Sequence, residues 1–117
     1  MKKAILVCGG IVNNLSWLSN EIRQIADEKV TVYAVDGGAN ILCDIGVVPS
    51  IFVGDADSVC TSARERLIAN EVEFLKFNPE KDNTDTELAL KHAADLGATE
   101  VVCYAASGGR QDHFIAN

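Results

Sequence analysis

The order of apolar segments along the chain constrains the fold more than any other feature. Five short apolar runs alternate with segments in which apolar residues recur every three or four positions. The short runs predict strands covered on both faces, and the spaced segments predict amphipathic helices. Strands alternating with helices predict a parallel sheet with right-handed crossovers, so we expect a three-layer α/β/α domain with a mostly parallel, Rossmann-like sheet. The predicted strands are residues 4–8, 30–35, 51–53, 72–77 and 100–105.

Four helices are predicted between these strands. Apolar spacing predicts one over residues 15–26 and a shorter one over residues 41–45, with Gly46 as its stop. A hydroxyl residue followed three positions later by Glu has the spacing of a capping box, which predicts helix starts at Ser62 and Thr84. The last helix is expected to stop at Gly97. Its predicted buried face consists of Ala89, Leu90, Ala93 and Ala94.

The end of the chain departs from this alternation. Residues 111–117 begin a sixth element, which we interpret as the first turn of a helix. An enzyme domain seldom ends there. We therefore expect a fragment, truncated after the fifth or sixth strand region.

Composition excludes several classes of protein. The chain carries 17 acidic and 10 basic residues among 117, a net charge of −7, which suits neither a nucleic acid nor an anionic membrane as partner. No apolar run approaches the roughly 20 residues of a membrane span. The four cysteines show no CxxC spacing, which predicts reduced thiols in a cytoplasmic protein rather than disulfides or a zinc site.

Acidic residues follow four of the five predicted strands. Ligands of open α/β sheets bind outside the carboxyl ends of the strands, so these carboxylates are expected along one edge. Lys81 and Arg110 are the only basic residues that follow the last two strands, and the excess of negative charge calls for a cation. Carboxylate oxygens are hard ligands that suit Mg²⁺. The acids are Asp36, Asp55, Asp57, Asp82, Asp85 and Asp112, with Glu87 nearby.

Other residues fit a phosphate ligand, which magnesium commonly accompanies. The pairs Gly37-Gly38 and Gly108-Gly109 would let the backbone approach a ligand closely. The helices that follow the second and fourth strands would direct backbone N–H groups toward an anion. Lys81 and Arg110 could hold terminal phosphate oxygens.

Structural interpretations compete with functional ones at several positions. Glu87 stands in a first helical turn, where an acid stabilises the helix dipole, and Asp36 before two glycines is typical of a turn. His92 is interpreted as a solvated side chain in the middle of a helix. Trp17 and Tyr33 are interpreted as core or interface residues.

Four motifs stand in order along the chain: residues 36–40 (DGGAN), 54–58 (GDADS), 81–90 (KDNTDTELAL) and 108–113 (GGRQDH). Together they resemble the catalytic domain of thiamin pyrophosphokinase, and the resemblance covers essentially the whole chain. One departure is Ala56, which stands where a bulky aromatic residue is common in the family.

The resemblance implies a reaction of ATP with thiamin that gives AMP and thiamin diphosphate, in which the thiamin alcohol attacks the β-phosphorus. The implied catalytic residues are Asp55, Asp57, Asp82, Asp85, Arg110 and Asp112, and the implied Mg²⁺ ligands among them are Asp55, Asp57 and Asp85. The residues implied to bind the nucleotide are Asp36, Gly37, Lys81, Thr84, Gly109 and His113.

The resemblance also implies a second, β-rich domain that holds thiamin, and a homodimer. We therefore expect residues 1–117 to form the ATP- and Mg²⁺-binding domain without the C-terminal β domain. Such a piece would turn over thiamin poorly or not at all.

Other function classes stay open. The DxD formed by Asp55 and Asp57 fits a metal-dependent glycosyl- or nucleotidyltransferase, but that class leaves the last two motifs unused. Asp57 also suggests a phospho-signalling receiver domain, which would need an acidic pair after the first strand and a lysine after the fifth, both missing here. A non-catalytic nucleotide-binding module is the third alternative.

Overall fold

A computed structural model of the chain describes residues 2–9, 15–25, 30–54, 59–75, 85–107 and 110–114. These residues form six strands and four helices, numbered here in chain order. The strands are β1 (Lys2–Val7), β2 (Val30–Val35), β3 (Ile51–Val53), β4 (Glu73–Leu75), β5 (Ala98–Ser107) and β6 (Arg110–Phe114). The helices are α1 (Leu15–Ile25), α2 (Gly38–Asp44), α3 (Thr61–Ala69) and α4 (Asp85–Asp95).

The strands form one sheet in the order β4-β3-β2-β1-β5-β6. All neighbours from β4 to β5 pair in parallel, and β6 pairs antiparallel to β5. The chain proceeds outward from β1 to β4 and then returns to the other side of β1. Right-handed crossovers in opposite directions place their helices on opposite faces of the sheet.

The core lies on both faces of this sheet. On one face, α1, α2 and α3 pack over alternate strand residues such as Ile5 and Phe52. On the other face, Ala89 and Ala93 of α4 pack in one cluster with Leu6. The predicted three-layer α/β/α architecture with a mostly parallel sheet is confirmed.

The sixth element differs from the sequence prediction, because residues 110–114 form a strand and not a helical turn. Only two residues separate the end of β5 from the start of β6. A connection that short can join antiparallel strands but cannot form a parallel crossover. A run of seven residues was too short to reveal its periodicity.

Details of two helices also differ from the sequence prediction. Ser62 is not the N-cap of α3, which begins at Thr61 after the N-cap residue Cys60. Ala94 of α4 is exposed because the helix contacts the sheet through a narrower stripe than the apolar spacing suggested. Thr84, the other predicted cap, lies outside the described residues.

No disulfide joins the cysteines, all four of which are described. Cys8 and Cys103 are buried, and Cys60 is exposed. Within the described part of the chain, every helix is too short or too polar to cross a membrane.

Candidate functional site at the carboxyl edge of the sheet

Backbone hydrogen bonds bring the carboxyl ends of adjacent strands to a common edge. The N–H of Asp36, directly after β2, donates to the carbonyl of Val53 at the end of β3 at 2.9 Å. The N–H of Gly54 donates to the carbonyl of Leu75 at the end of β4 at 3.3 Å. The carboxyl ends of β2, β3 and β4 therefore meet at this edge, as the sequence predicted.

The connection from β2 to α2 is fixed by close backbone packing. A Cβ atom on Gly38 would overlap the carbonyl oxygen of Val7 in β1. One on Gly9 would come within 3.1 Å of the Cα of Gly37. The glycines were expected to admit a ligand, but the close approach observed at Gly38 is to the backbone of the central strand β1.

Asp36 holds the turn at this edge in a conformation that few side chains adopt. Its φ is 48°, in the left-handed region, where Asp is tolerated better than most residues. Its carbonyl accepts a hydrogen bond from the N–H of Ala39 at 3.3 Å. The structural interpretation of Asp36 as a turn residue is confirmed, and its nucleotide-binding role stays a prediction.

Asn40, in the first turns of α2, reaches the start of α3. Its Oδ1 accepts a hydrogen bond from the backbone N–H of Cys60 at 2.8 Å. Asn40 is the last residue of the DGGAN motif, and the sequence indicated no separate role for it. The sequence did contain a clue. The turn formed by this motif does not need an amide side chain, so an asparagine there indicates that its side chain makes a contact.

The structure locates some of the predicted site residues by their backbone. Asp85 begins α4. In the register of β6 against β5, Arg110 lies opposite Ser107 at the carboxyl end of β5. Asp112 lies opposite Cys103, which pairs with Leu6 of β1, so its backbone on the outermost strand β6 lies short of the carboxyl edge of the sheet and not beyond it. His113 lies opposite Val102.

The other predicted site residues lie outside the described part of the chain. They are Asp55, Asp57, Lys81, Asp82, Thr84 and Gly109. Among the residues that are described, no group of three or more His, Cys, Asp or Glu side chains could hold a metal ion. The predicted ligands are nonetheless all carboxylates, and this donor chemistry fits Mg²⁺.

His92 was predicted to be solvated, but its side chain is half-buried and hydrogen-bonded to the core residue Tyr33. Its Nδ1 lies 2.8 Å from the hydroxyl oxygen of Tyr33, and the two rings meet edge to face. Tyr33 is fully buried, as predicted. Burial, together with the charge of Glu73, raises the pKa of Tyr33 to about 12. The neutral phenol therefore persists at physiological pH and can donate to the imidazole.

The parallel sheet and the common edge of its strands place the chain in a class of α/β domains. Members of this class bind ligands beyond the carboxyl ends of the strands. A family model described as "Thiamin pyrophosphokinase, catalytic domain" matches residues 22–117. The chain belongs to this family.

Known proteins agree with that assignment. The thiamine pyrophosphokinase of Bacillus subtilis (strain 168) is 32% identical over 117 residues, covering 100% of this chain and 53% of the relative. A crystal structure of the Bacillus subtilis enzyme matches with a TM-score of 0.71 and 28% identity, over 93% of this chain and 49% of that one. One from Geobacillus thermodenitrificans has a TM-score of 0.70 and 27% identity, over 92% and 48%. The chain thus spans about half the length of the relatives it matches.

Proposed function

We propose that the protein transfers a pyrophosphoryl group from ATP to thiamin, giving thiamin diphosphate and AMP. Family membership over most of the chain is the observation that carries this proposal. The strand ends that meet at one edge support it, since ligands of such sheets bind there. The thiamin alcohol oxygen would form a bond to the β-phosphorus while the bond from that phosphorus to the α,β-bridging oxygen breaks. AMP leaves, and the hydroxyl proton passes to solvent.

Carboxylates at this edge would hold Mg²⁺, with Asp55, Asp57 and Asp85 as ligands and Asp82 beside them. When bound, Mg²⁺ neutralises phosphate charge and aligns the reacting groups. Support comes from the positions of these residues in the chain, since Asp55 and Asp57 are two and four residues after the end of β3 and Asp85 begins α4.

The remaining predicted residues would contact the nucleotide. We assign Arg110 and Asp112 to the transfer site on β6, and the phosphates to Lys81 and Thr84. Further contacts to ATP are proposed for Asp36, Gly37, Gly109 and His113.

The whole protein is proposed to be a cytoplasmic homodimer in which a β-rich domain supplies the thiamin pocket. The relative lengths of the two proteins support a further domain, because the Bacillus subtilis relative is about twice as long as the region that matches this chain. The absence of a disulfide among the four cysteines supports a reducing compartment. Residues 1–117 would then form the domain that binds ATP and Mg²⁺.

The experiment is a product assay on the full-length protein with ATP, thiamin and Mg²⁺. We expect AMP and thiamin diphosphate in equal amounts. Asp55→Asn and Asp57→Asn should each lower turnover by about a hundredfold or more, because each removes a carboxylate from the metal. Asp95→Asn is the matched control: it changes the same residue type at the exposed end of α4 and should leave turnover unchanged.

Other results would overturn the proposal. Thiamin-independent turnover of a sugar nucleotide would indicate the DxD-type transferase instead. Nucleotide binding that is indifferent to Asp55→Asn, without any product, would indicate a binding module.

A further inference from the structure

The order of the strands singles out one crevice along the carboxyl edge of the sheet. The strand order reverses direction between β1 and β5, because the chain moves outward from β1 to β4 and then returns to the other side of β1. Ligands of open α/β sheets bind outside the carboxyl ends of the strands at such a reversal. The residues around the crevice between β1 and β5 are therefore expected to touch a ligand.

Backbone contacts define both sides of this crevice. Tyr104 of β5 pairs with Val7, the last residue of β1, and its carbonyl accepts a hydrogen bond from the N–H of Cys8 at 3.0 Å. Gly9 comes next and lies against Gly37, since a Cβ on Gly9 would come within 3.1 Å of the Gly37 Cα. Gly37 is one of the residues proposed above to contact ATP. The crevice therefore adjoins the turn after β2 that carries this proposed contact.

Trp17 is an exposed aromatic residue beside the crevice. It lies in the first turn of α1, and its ring meets that of Tyr104 edge to face with centroids 6.3 Å apart. Tyr104 is 2% exposed, whereas Trp17 is 45% exposed. Leu18 and Ile22 of the same helix are buried in the core, which fixes the rotation of α1 over the sheet. Trp17 is thus held at the level where β1 ends, with nearly half of its surface open to solvent.

Location and chemistry together distinguish Trp17 from an ordinary exposed apolar side chain. Single apolar residues are common on protein surfaces and need no ligand to explain them. An indole ring, however, offers a flat π face, on which another aromatic system stacks in an offset arrangement. Nucleobases are flat aromatic systems, and each of them has such a face. An indole beside the reversal point of the sheet therefore suits a nucleobase.

We propose that the adenine base of ATP stacks on Trp17 at the crevice between β1 and β5. This inference rests on the proposed function, in which ATP is the donor of the pyrophosphoryl group. Stacking does not depend on charge, so it adds affinity at an edge where carboxylates repel phosphate unless a cation is bound. Trp17 would then hold the part of ATP that does not react.

The first test is calorimetric titration of the full-length protein with AMP. Trp17→Ala should weaken AMP binding by about tenfold, an effect typical of removing an aromatic side chain from under a base. Trp17→Phe keeps a π face and should retain the AMP affinity of the unchanged protein to within about threefold.

A spectroscopic measurement separates stacking from a structural role of the side chain. AMP should quench the fluorescence of Trp17, obtained as the difference between the unchanged protein and Trp17→Phe. Ribose 5-phosphate lacks the base and should leave this signal unchanged. Trp17→Leu keeps apolar bulk beside Tyr104 but has no π face, so it should lose AMP affinity as Trp17→Ala does. This variant keeps the test decisive if Trp17→Ala fails to fold.

Leu96→Ala is the matched control. Leu96 is 48% exposed and lies after α4, where it lines a small cavity with Thr31 and Ala98 from the first residues of β2 and β5. It is thus an equally exposed apolar residue at the opposite edge of the sheet. We expect AMP affinity to be unchanged in this variant.

Unchanged AMP affinity in folded Trp17→Ala or Trp17→Leu would overturn the inference, as would equal weakening in Leu96→Ala. Quenching by ribose 5-phosphate as strong as that by AMP, or a protein that binds no AMP, would also overturn it. Failure of the proposed function looks different. The protein would bind AMP in a Trp17-dependent way but form no thiamin diphosphate from ATP and thiamin.

Discussion

Gly38 lies so close to the carbonyl oxygen of Val7 that a methyl group at Gly38 would overlap that oxygen. The contact joins the first turn of α2 to the end of the central strand β1. The neighbouring Gly37 is different, because a Cβ there would meet only the Cα of Gly9, at an ordinary distance of 3.4 Å. Of these two adjacent glycines, only Gly38 is required by backbone packing among the described residues.

Alanine substitutions at Gly37 and Gly38 should therefore differ in their effect on the free energy of unfolding. Gly38→Ala must displace α2 from β1, and we expect it to lower the free energy of unfolding by about 3 kcal/mol, the upper range for overpacking. Gly37→Ala introduces no overlap, and because the φ of −64° and ψ of −6° at Gly37 suit alanine, it should change the free energy of unfolding by less than about 1 kcal/mol. Urea denaturation of both variants measures the difference. Equal costs would mean that α2 moves away from β1 without penalty.

The two tyrosines of the sequence give the protein a defined response to alkaline pH. Burial raises the pKa of Tyr33 from 10.0 to about 12, with a contribution from the charge of Glu73. Burial, with a smaller contribution from the charge of Glu21, raises the pKa of Tyr104 to about 12 as well. Above pH 10 the unfolded chain releases protons that the folded chain still binds. The stabilisation is therefore complete below pH 10 and is lost between pH 10 and about 12.

Tyrosinate absorbance measures this response. In the folded protein we expect Tyr33 and Tyr104 to ionise near pH 12 and not near pH 10. Difference titrations against Tyr33→Phe and Tyr104→Phe assign each transition to its residue. The urea midpoint should fall steadily from pH 10 upward. A phenolate that forms near pH 10 while the protein is still folded would contradict the burial argument for that tyrosine.

The order of the five parallel strands could be predicted from sequence, but their bounds could be predicted only where clear stop residues flank the apolar run. The predicted bounds of β2 and β3 match the structure, because each is a continuous apolar run between clear stop residues. The bounds of β1 and β5 differ from the prediction, since β1 begins at Lys2 and not at Ala4, and β5 extends over Ala98–Ser107 and not over residues 100–105. The additional end residues include Lys2, Lys3 and Ser107, which pair through the backbone and so are not marked by hydrophobicity.

The candidate site could also be predicted only in part. The common edge at which the strands end could be inferred from topology alone, because all parallel strands of such a sheet end on the same side, whereas Asp55, Asp57 and Asp82 lie outside the described residues. The roles of Asn40 and His92 could not be inferred in this way. Asn40 acts on a residue 20 positions away, and His92 bonds to Tyr33 across 59 positions. Such pairs depend on how helices are rotated over the sheet, which periodicity leaves undetermined.

The helices α2 and α3 end in the same way, each followed by one residue in the left-handed conformation. Glu71 has a φ of 55°, its N–H donates to the carbonyl of Ile68, and the next residue, Val72, donates to Leu67, both at 3.1 Å. Gly46 occupies the same position after α2 with a φ of 76°. This arrangement closes a helix with one left-handed residue, a conformation that glycine adopts without the steric cost of a Cβ.

Glu71→Gly should therefore raise the free energy of unfolding by about 1 kcal/mol, because relief of the left-handed strain exceeds the entropy lost with glycine. Gly46→Ala should lower it by about the same amount. Chemical denaturation of the two variants gives both values. If Glu71→Gly were destabilising while Gly46→Ala behaved as expected, contacts of the Glu71 side chain would have to outweigh its backbone strain. Because Glu71 is exposed, we expect the strain to dominate.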